Sequence, residues 1–186
     1  MLSDTQLKQA LASPMATLPP SLAPGEEVVA AARSSDQWGV VVVMRRTLDG
    51  DIEDDTYVAA RAADGEWVFP GTASGGLLPE WVLDRRRVDE PWSRHPLQDL
   101  GEQISFVTVD GDTKTIVAVA LLVSPHIRRV TIRVGPTLQS IDVPASGFVV
   151  SALPVLDDAE DIQYEAFDSS GQMLASHGVV LDVELP

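Results

Sequence analysis

No cysteine and no asparagine occur anywhere in the chain, and lysine appears only at Lys8 and Lys114. Without a thiol there is no disulfide framework, no thiolate zinc site, no iron–sulfur cluster and no cysteine nucleophile. Long apolar runs are missing too: nothing approaches the roughly 20 residues that a membrane-spanning helix needs. The opening residues Met1 to Lys8 lack the basic-then-apolar order of an export signal. These absences lead us to expect a cytoplasmic protein with no membrane partner. Eleven arginines beside two lysines, with no asparagine, are what GC-rich codon usage gives, which points to a bacterial source. Positive charge is scarce overall. A net charge of −15 argues against a nucleic-acid partner, because phosphate binding needs a basic face that releases counterions.

What is present reads as short strands between turns. Thirteen prolines and thirteen glycines are spread along 186 residues, and hydrophobic content is 45%, ordinary for a folded globular chain. The sequence predicts a mainly β fold, an antiparallel β-sandwich or partly open barrel in one or two lobes, with a short N-terminal helix. Residues 1–25 would form that helix, capped by Ser3 and Gln6 with Leu7 and Leu11 on one face, and a proline-rich connector. Residues 26–83 would form a first β lobe, a meander. Its strands include the continuously apolar run after Gln37 and a hairpin at Asp64-Gly65, followed by a flexible loop over Gly71 to Gly76. Residues 84–101, charged and containing Pro91 and Pro96, read as a linker. Residues 102–186 would form a second β lobe with turns every 8 to 12 residues, and their spacing resembles an immunoglobulin-like or transthyretin-like sandwich. That likeness concerns fold alone and implies no function.

Chemistry is sparsely signalled. Asp49 to Asp55 concentrates carboxylates, but counting an EF-hand loop from Asp49 or from Asp51 leaves no glycine at the sixth position and no glutamate at the twelfth. These carboxylates therefore read as a surface crossing behind Arg45 and Arg46. His95, His126 and His177 are far apart, with no paired-histidine motif, and read as scattered surface residues; no metal and no cofactor is expected. Ser74 sits in a glycine-rich stretch without the strand-to-helix elbow of a hydrolase nucleophile. No phosphate-cradling glycine motif occurs. Catalysis is not expected.

Two places look organised for contact. Trp81 and Trp92 lie among Arg85, Arg86, Arg87 and Arg94, and aromatics with arginines are enriched at interface hot spots. The segment from Asp157 onward carries eight acidic residues and no lysine or arginine, with Asp157, Asp158, Glu160 and Asp161 as its densest group. Such a face would steer a basic protein partner. The expected function is non-catalytic protein binding or assembly, as an accessory protein of a bacterial multi-component system. The alternatives are an acidic immunity, antitoxin or nucleic-acid-mimic protein that covers a basic partner, and a carbohydrate-binding domain using the four tryptophans.

Overall fold

The computed structural model describes residues 2–13, 18–87, 92, 95–109, 111–155 and 159–182. It is mainly β, built from antiparallel sheets with one short N-terminal helix and no closed barrel.

Helix α1 (Asp4–Ala12) begins where the Ser3 backbone N–H donates to Gln6 Oε1 at 2.9 Å. Strands β1 (Glu27–Ser34), β2 (Trp38–Arg46), β3 (Ile52–Arg61) and β4 (Trp67–Leu78) follow as a meander in sequential order. A 3-10 helix, Glu80–Arg87, leads on from them. Strands β5 (Leu97–Val109), β6 (Asp112–Val123) and β9 (Phe148–Pro154) make a three-stranded middle sheet in the order β5-β6-β9. Strands β7 (Arg129–Val134), β8 (Thr137–Asp142), β10 (Ala159–Phe167) and β11 (Met173–Asp182) make an outer sheet in the order β11-β10-β7-β8.

Side-chain alternation stacks these sheets in layers. Along β6, Ile116, Ala118, Ala120 and Leu122 join a core shared with Val40, Val42, Met44 and Val58 of the meander. The intervening Val117, Val119, Leu121 and Val123 join a second core with Val130, Ile132, Ile162 and Tyr164 of the outer sheet. Strands β6 and β9 of the middle sheet are thus buried on both faces, so β6 must be apolar at successive positions, whereas Ile104 and Phe106 of the edge strand β5 remain exposed. Strand β2 obeys the same logic: Val41 and Val43 pack with Leu7 and Leu11 of α1, on the face of the meander opposite Val40 and Val42. Strands β7 and β10 instead alternate, since the far face of the outer sheet meets water.

Three readings of the sequence need correction. Gly71 to Gly76 is not a loop but the middle of β4, paired with β3. The carboxylates Glu53, Asp54 and Asp55 do not cross the surface; they lie within β3, where Arg45 meets Glu53 across the ladder. Of the segment 84–101, read as a linker, the described residues include the end of the 3-10 helix and the first five residues of β5, while residues 88–91, 93 and 94 lie outside the described residues. In β3, in β4 and at the start of β5, an antiparallel neighbour satisfies backbone groups that the local composition had suggested would face solvent.

Candidate functional site

The contact residues named from the sequence separate in the structure. Trp92 is buried at 6% exposure, and Trp81 packs partly buried beside it in the core between the meander and the middle sheet. Their rings meet edge-on, with centroids 5.2 Å apart. Trp38 packs against this same core, whereas Trp67 is buried on the opposite face of the meander under Arg61. The four rings therefore do not share one face. Arg85, Arg86 and Arg87 end the 3-10 helix and Glu160 lies in β10, but their side chains fall outside the described residues, as do Arg94, Asp157 and Asp158 entirely. Asp161 is exposed on the wet face of β10, as is Glu165.

The acidic stretch of β3 is partly neutralised from β2. Arg45 donates to Glu53 at 2.8 Å and lies 3.5 Å from Asp55, and the hydrogen bond to Glu53 and the charge of Asp55 raise its pKa. Arg46 reaches Glu80 at 2.6 Å and the Gly50 carbonyl at 2.7 Å. Asp54 faces the other way, into the core, and is only 3% exposed. Opposite it, β4 carries one extra residue: Glu53 pairs with Leu77 and Asp55 with Ser74, so Gly75 and Gly76 together face Asp54. A Cβ on Gly75 would overlap the Asp54 carboxylate. Burial and the neighbouring Asp55 push the Asp54 carboxyl up to about 6, against the backbone N–H of Gly76, and its Oδ1 has no hydrogen-bond partner.

A denser cluster of titratable groups lies where β5 passes β11. Strand β5 also has a bulge: Asp99 pairs with Leu121 and Gly101 with Ala120, leaving Leu100 without an opposite residue. Gly101 adopts φ +124°, a region that side chains other than hydrogen rarely occupy. The bulge resets the alternation, so Asp99 and Glu102, three positions apart, both face the outer sheet. Asp99 Oδ1 accepts the Gly101 N–H at 2.9 Å, which ties the carboxylate to the bulge.

From the outer sheet, Tyr164 and His177 are directly opposed partners on β10 and β11. Their rings stack with centroids 6.1 Å apart. The buried Tyr164 hydroxyl donates to Glu102 Oε1 at 2.5 Å, a link between two sheets. His177 Nε2 stands 3.8 Å from Asp99 Oδ2, with half of its side chain exposed. Burial, then the hydrogen-bonded Asp99 carboxyl, lifts Glu102 to about 7, while the Tyr164 hydroxyl acts in the opposite sense. Burial and the adjacent Glu102 also raise Tyr164 far above the ordinary phenol.

This cluster lies beside a groove of about 580 Å³ whose walls include His95 and Asp99 on one side and Leu174, Ser176 and His177 on the other. An adjoining cleft of about 530 Å³, reaching Trp92, His126 and Arg128, shares Pro96 and Leu174 with it. The three histidines thus border two neighbouring grooves that share Pro96 and Leu174, a proximity that their spacing in sequence concealed. They do not converge: among the described residues no three histidine or carboxylate side chains are placed to hold a metal ion. Among the described residues, also, no helix is long and apolar enough to cross a membrane.

The sequence did carry one signal for this site, a lone glycine between Asp99 and Glu102 in an otherwise strand-like run. What it could not show is that Tyr164, 62 positions away from Glu102, closes the cluster. Compared with known family models and with curated proteins, the chain matches none.

Proposed function

We propose that this chain is a non-catalytic binding module, an accessory or assembly component of a bacterial system, whose partner is another protein held along β11. The observation that supports the reading is the character of that strand. Among the described residues β11 pairs only with β10, so one row of its backbone N–H and C=O groups forms an open edge. Proteins usually guard such edges with lysine, proline or a bulge turned outward. Strand β11 is ten residues long and has no lysine, arginine or proline; its one bulge, at Leu174, lies beside its first residue, and it leaves Met173, Leu174 and Val180 exposed at 52%, 37% and 75%. An extended segment of a partner would add a further strand here, with main-chain hydrogen bonds for affinity and alternate side chains for selectivity.

Charge favours a basic segment. Asp161 and Glu165 flank the edge on the wet face and Asp99 lies on the groove side, within a molecule of net charge −15. Selection from a random peptide display library would test this reading. Enrichment of extended sequences with alternating basic residues, lost with Leu174→Lys/Val180→Lys, is expected. Both positions are exposed, so the substitutions should change stability by no more than about 0.5 kcal/mol each. Enriched peptides that bind the variant equally well would overturn the assignment to β11.

A further inference from the structure

We propose that the groove between β1, β8 and β9 is a binding site for a short apolar peptide with free ends, a di- or tripeptide whose carboxylate meets Arg33 and whose ammonium meets Asp142. The site goes beyond the reading above and does not depend on it, because β8 is the opposite edge of the outer sheet from β11.

The groove has a volume of about 350 Å³, the size of a small-ligand site. Its apolar wall comes from three elements: Leu11 of α1, Ile141 of β8 and Phe148 of β9. Two strand edges also line it. In the ladder between β9 and β6, the Val123 N–H donates to the Gly147 carbonyl at one end and the Val155 N–H to the Thr115 carbonyl at the other. The odd-numbered residues of β9 therefore carry the bonds to β6, and the N–H and C=O of Val150 point away from it. The same alternation, set by the bond from the Ser35 N–H to the Trp38 carbonyl, turns the N–H and C=O of Ala32 away from β2. Among the described residues β1 pairs only with β2 and β9 only with β6, so no strand bonds these groups. Val150 is 3% exposed and Ala32 8%, and backbone polar groups at buried positions call for partners. A peptide main chain brings a donor and an acceptor of its own, which a purely apolar ligand lacks.

Charge marks the two ends. Arg33, partly buried on β1, and Asp142, exposed at the end of β8, both line the groove, and neither has an ion-pair partner among the described residues. The cross-strand neighbour of Asp142 is Arg129, whose guanidinium lies instead over the Phe167 ring, 5.0 Å from its centroid. One cation and one anion beside an apolar wall match a ligand that carries both charges about an apolar body. Each end of such a peptide would make a charge-assisted hydrogen bond.

Titration of isotope-labelled protein with the dipeptide Leu-Leu, followed through backbone amide chemical shifts, tests the site. Saturable shifts at residues 31–34 and 148–151 are expected. Blocking the peptide's carboxylate as an amide, or its ammonium by acetylation, should each weaken binding by about tenfold, the size of one lost charged hydrogen bond. In Arg33→Gln the amide should bind as well as the free acid, and in Asp142→Asn acetylation should no longer matter. If a variant does not fold, the blocked peptides on the wild-type protein give the answer by themselves. Free leucine has both charges but no peptide linkage, and should bind at least about tenfold more weakly than Leu-Leu. No shift at these residues up to about 10 mM peptide, equal binding of blocked and free peptides, or leucine binding as tightly as Leu-Leu would each overturn the proposal. Shifts confined to β11 would overturn it too, and would assign the peptide to the edge proposed above.

Discussion

Asp54 offers the most direct test of how this fold treats buried charge. Its carboxyl is 3% exposed, has one unpartnered oxygen and titrates at about 6 against an ordinary value of 3.8. A carboxyl whose pKa is higher in the folded chain binds its proton more tightly when folded. The stability this contributes is therefore complete below pH 3.8, drains away as pH rises through 6, and is absent above. The interval between the two values corresponds to about 3 kcal/mol. Asp54→Asn keeps the shape and removes the ionisation. Relative to wild type, the variant should gain stability between about pH 4 and 6.5 and then level off, by an amount on the order of 2 to 3 kcal/mol in all, whatever constant offset the amide itself introduces. Urea unfolding at half-unit pH steps measures the difference directly. Glu102 titrates in an overlapping range, but it belongs to a different sheet and has no hydrogen bond to Asp54, so its contribution cancels between the two proteins. A difference that is flat with pH would refute the claim that Asp54 is buried and without sufficient partners.

Gly75→Ala should destabilise the protein by about 1 to 3 kcal/mol or more, because the new methyl overlaps the Asp54 carboxylate; adding Asp54→Gly should restore much of the loss in the same unfolding assay. Leu7→Ala should cost about 2 to 4 kcal/mol and expose the α1 segment to limited proteolysis first, since Leu7 is 1% exposed and anchors α1 on the meander.

Much of the architecture was legible because burial leaves its mark on side-chain order. The runs Val40 to Met44 and Ile116 to Val123 are continuously apolar since both faces of their strands are covered, and the alternation in β7 and β10 reports one covered face. The failures have a common cause. Gly75 was read as flexible because glycine favours turns, yet it lies within a strand to leave space for Asp54, a demand set by another strand. Trp81 and Trp92 have charged neighbours in sequence, yet Trp92 is buried in the core between the meander and the middle sheet and Trp81 packs partly buried against it, a placement that local composition does not report. The Asp99, Glu102, Tyr164 and His177 cluster depends on one extra residue in β5 and on the pairing of β10 with β11. Neither is written in the local pattern around any of the four.

The double-faced middle sheet also bears on how the molecule is made. Its strands come from residues 97–154, so the meander leaves the ribosome with Ala30, Val40, Val42 and Val58 as a bare greasy plane and nothing yet synthesised to lay across it. Nascent chains halted between residues 80 and 148 ought accordingly to be sticky, chaperone-dependent species, and an organism that makes this protein must shelter them until β9 arrives.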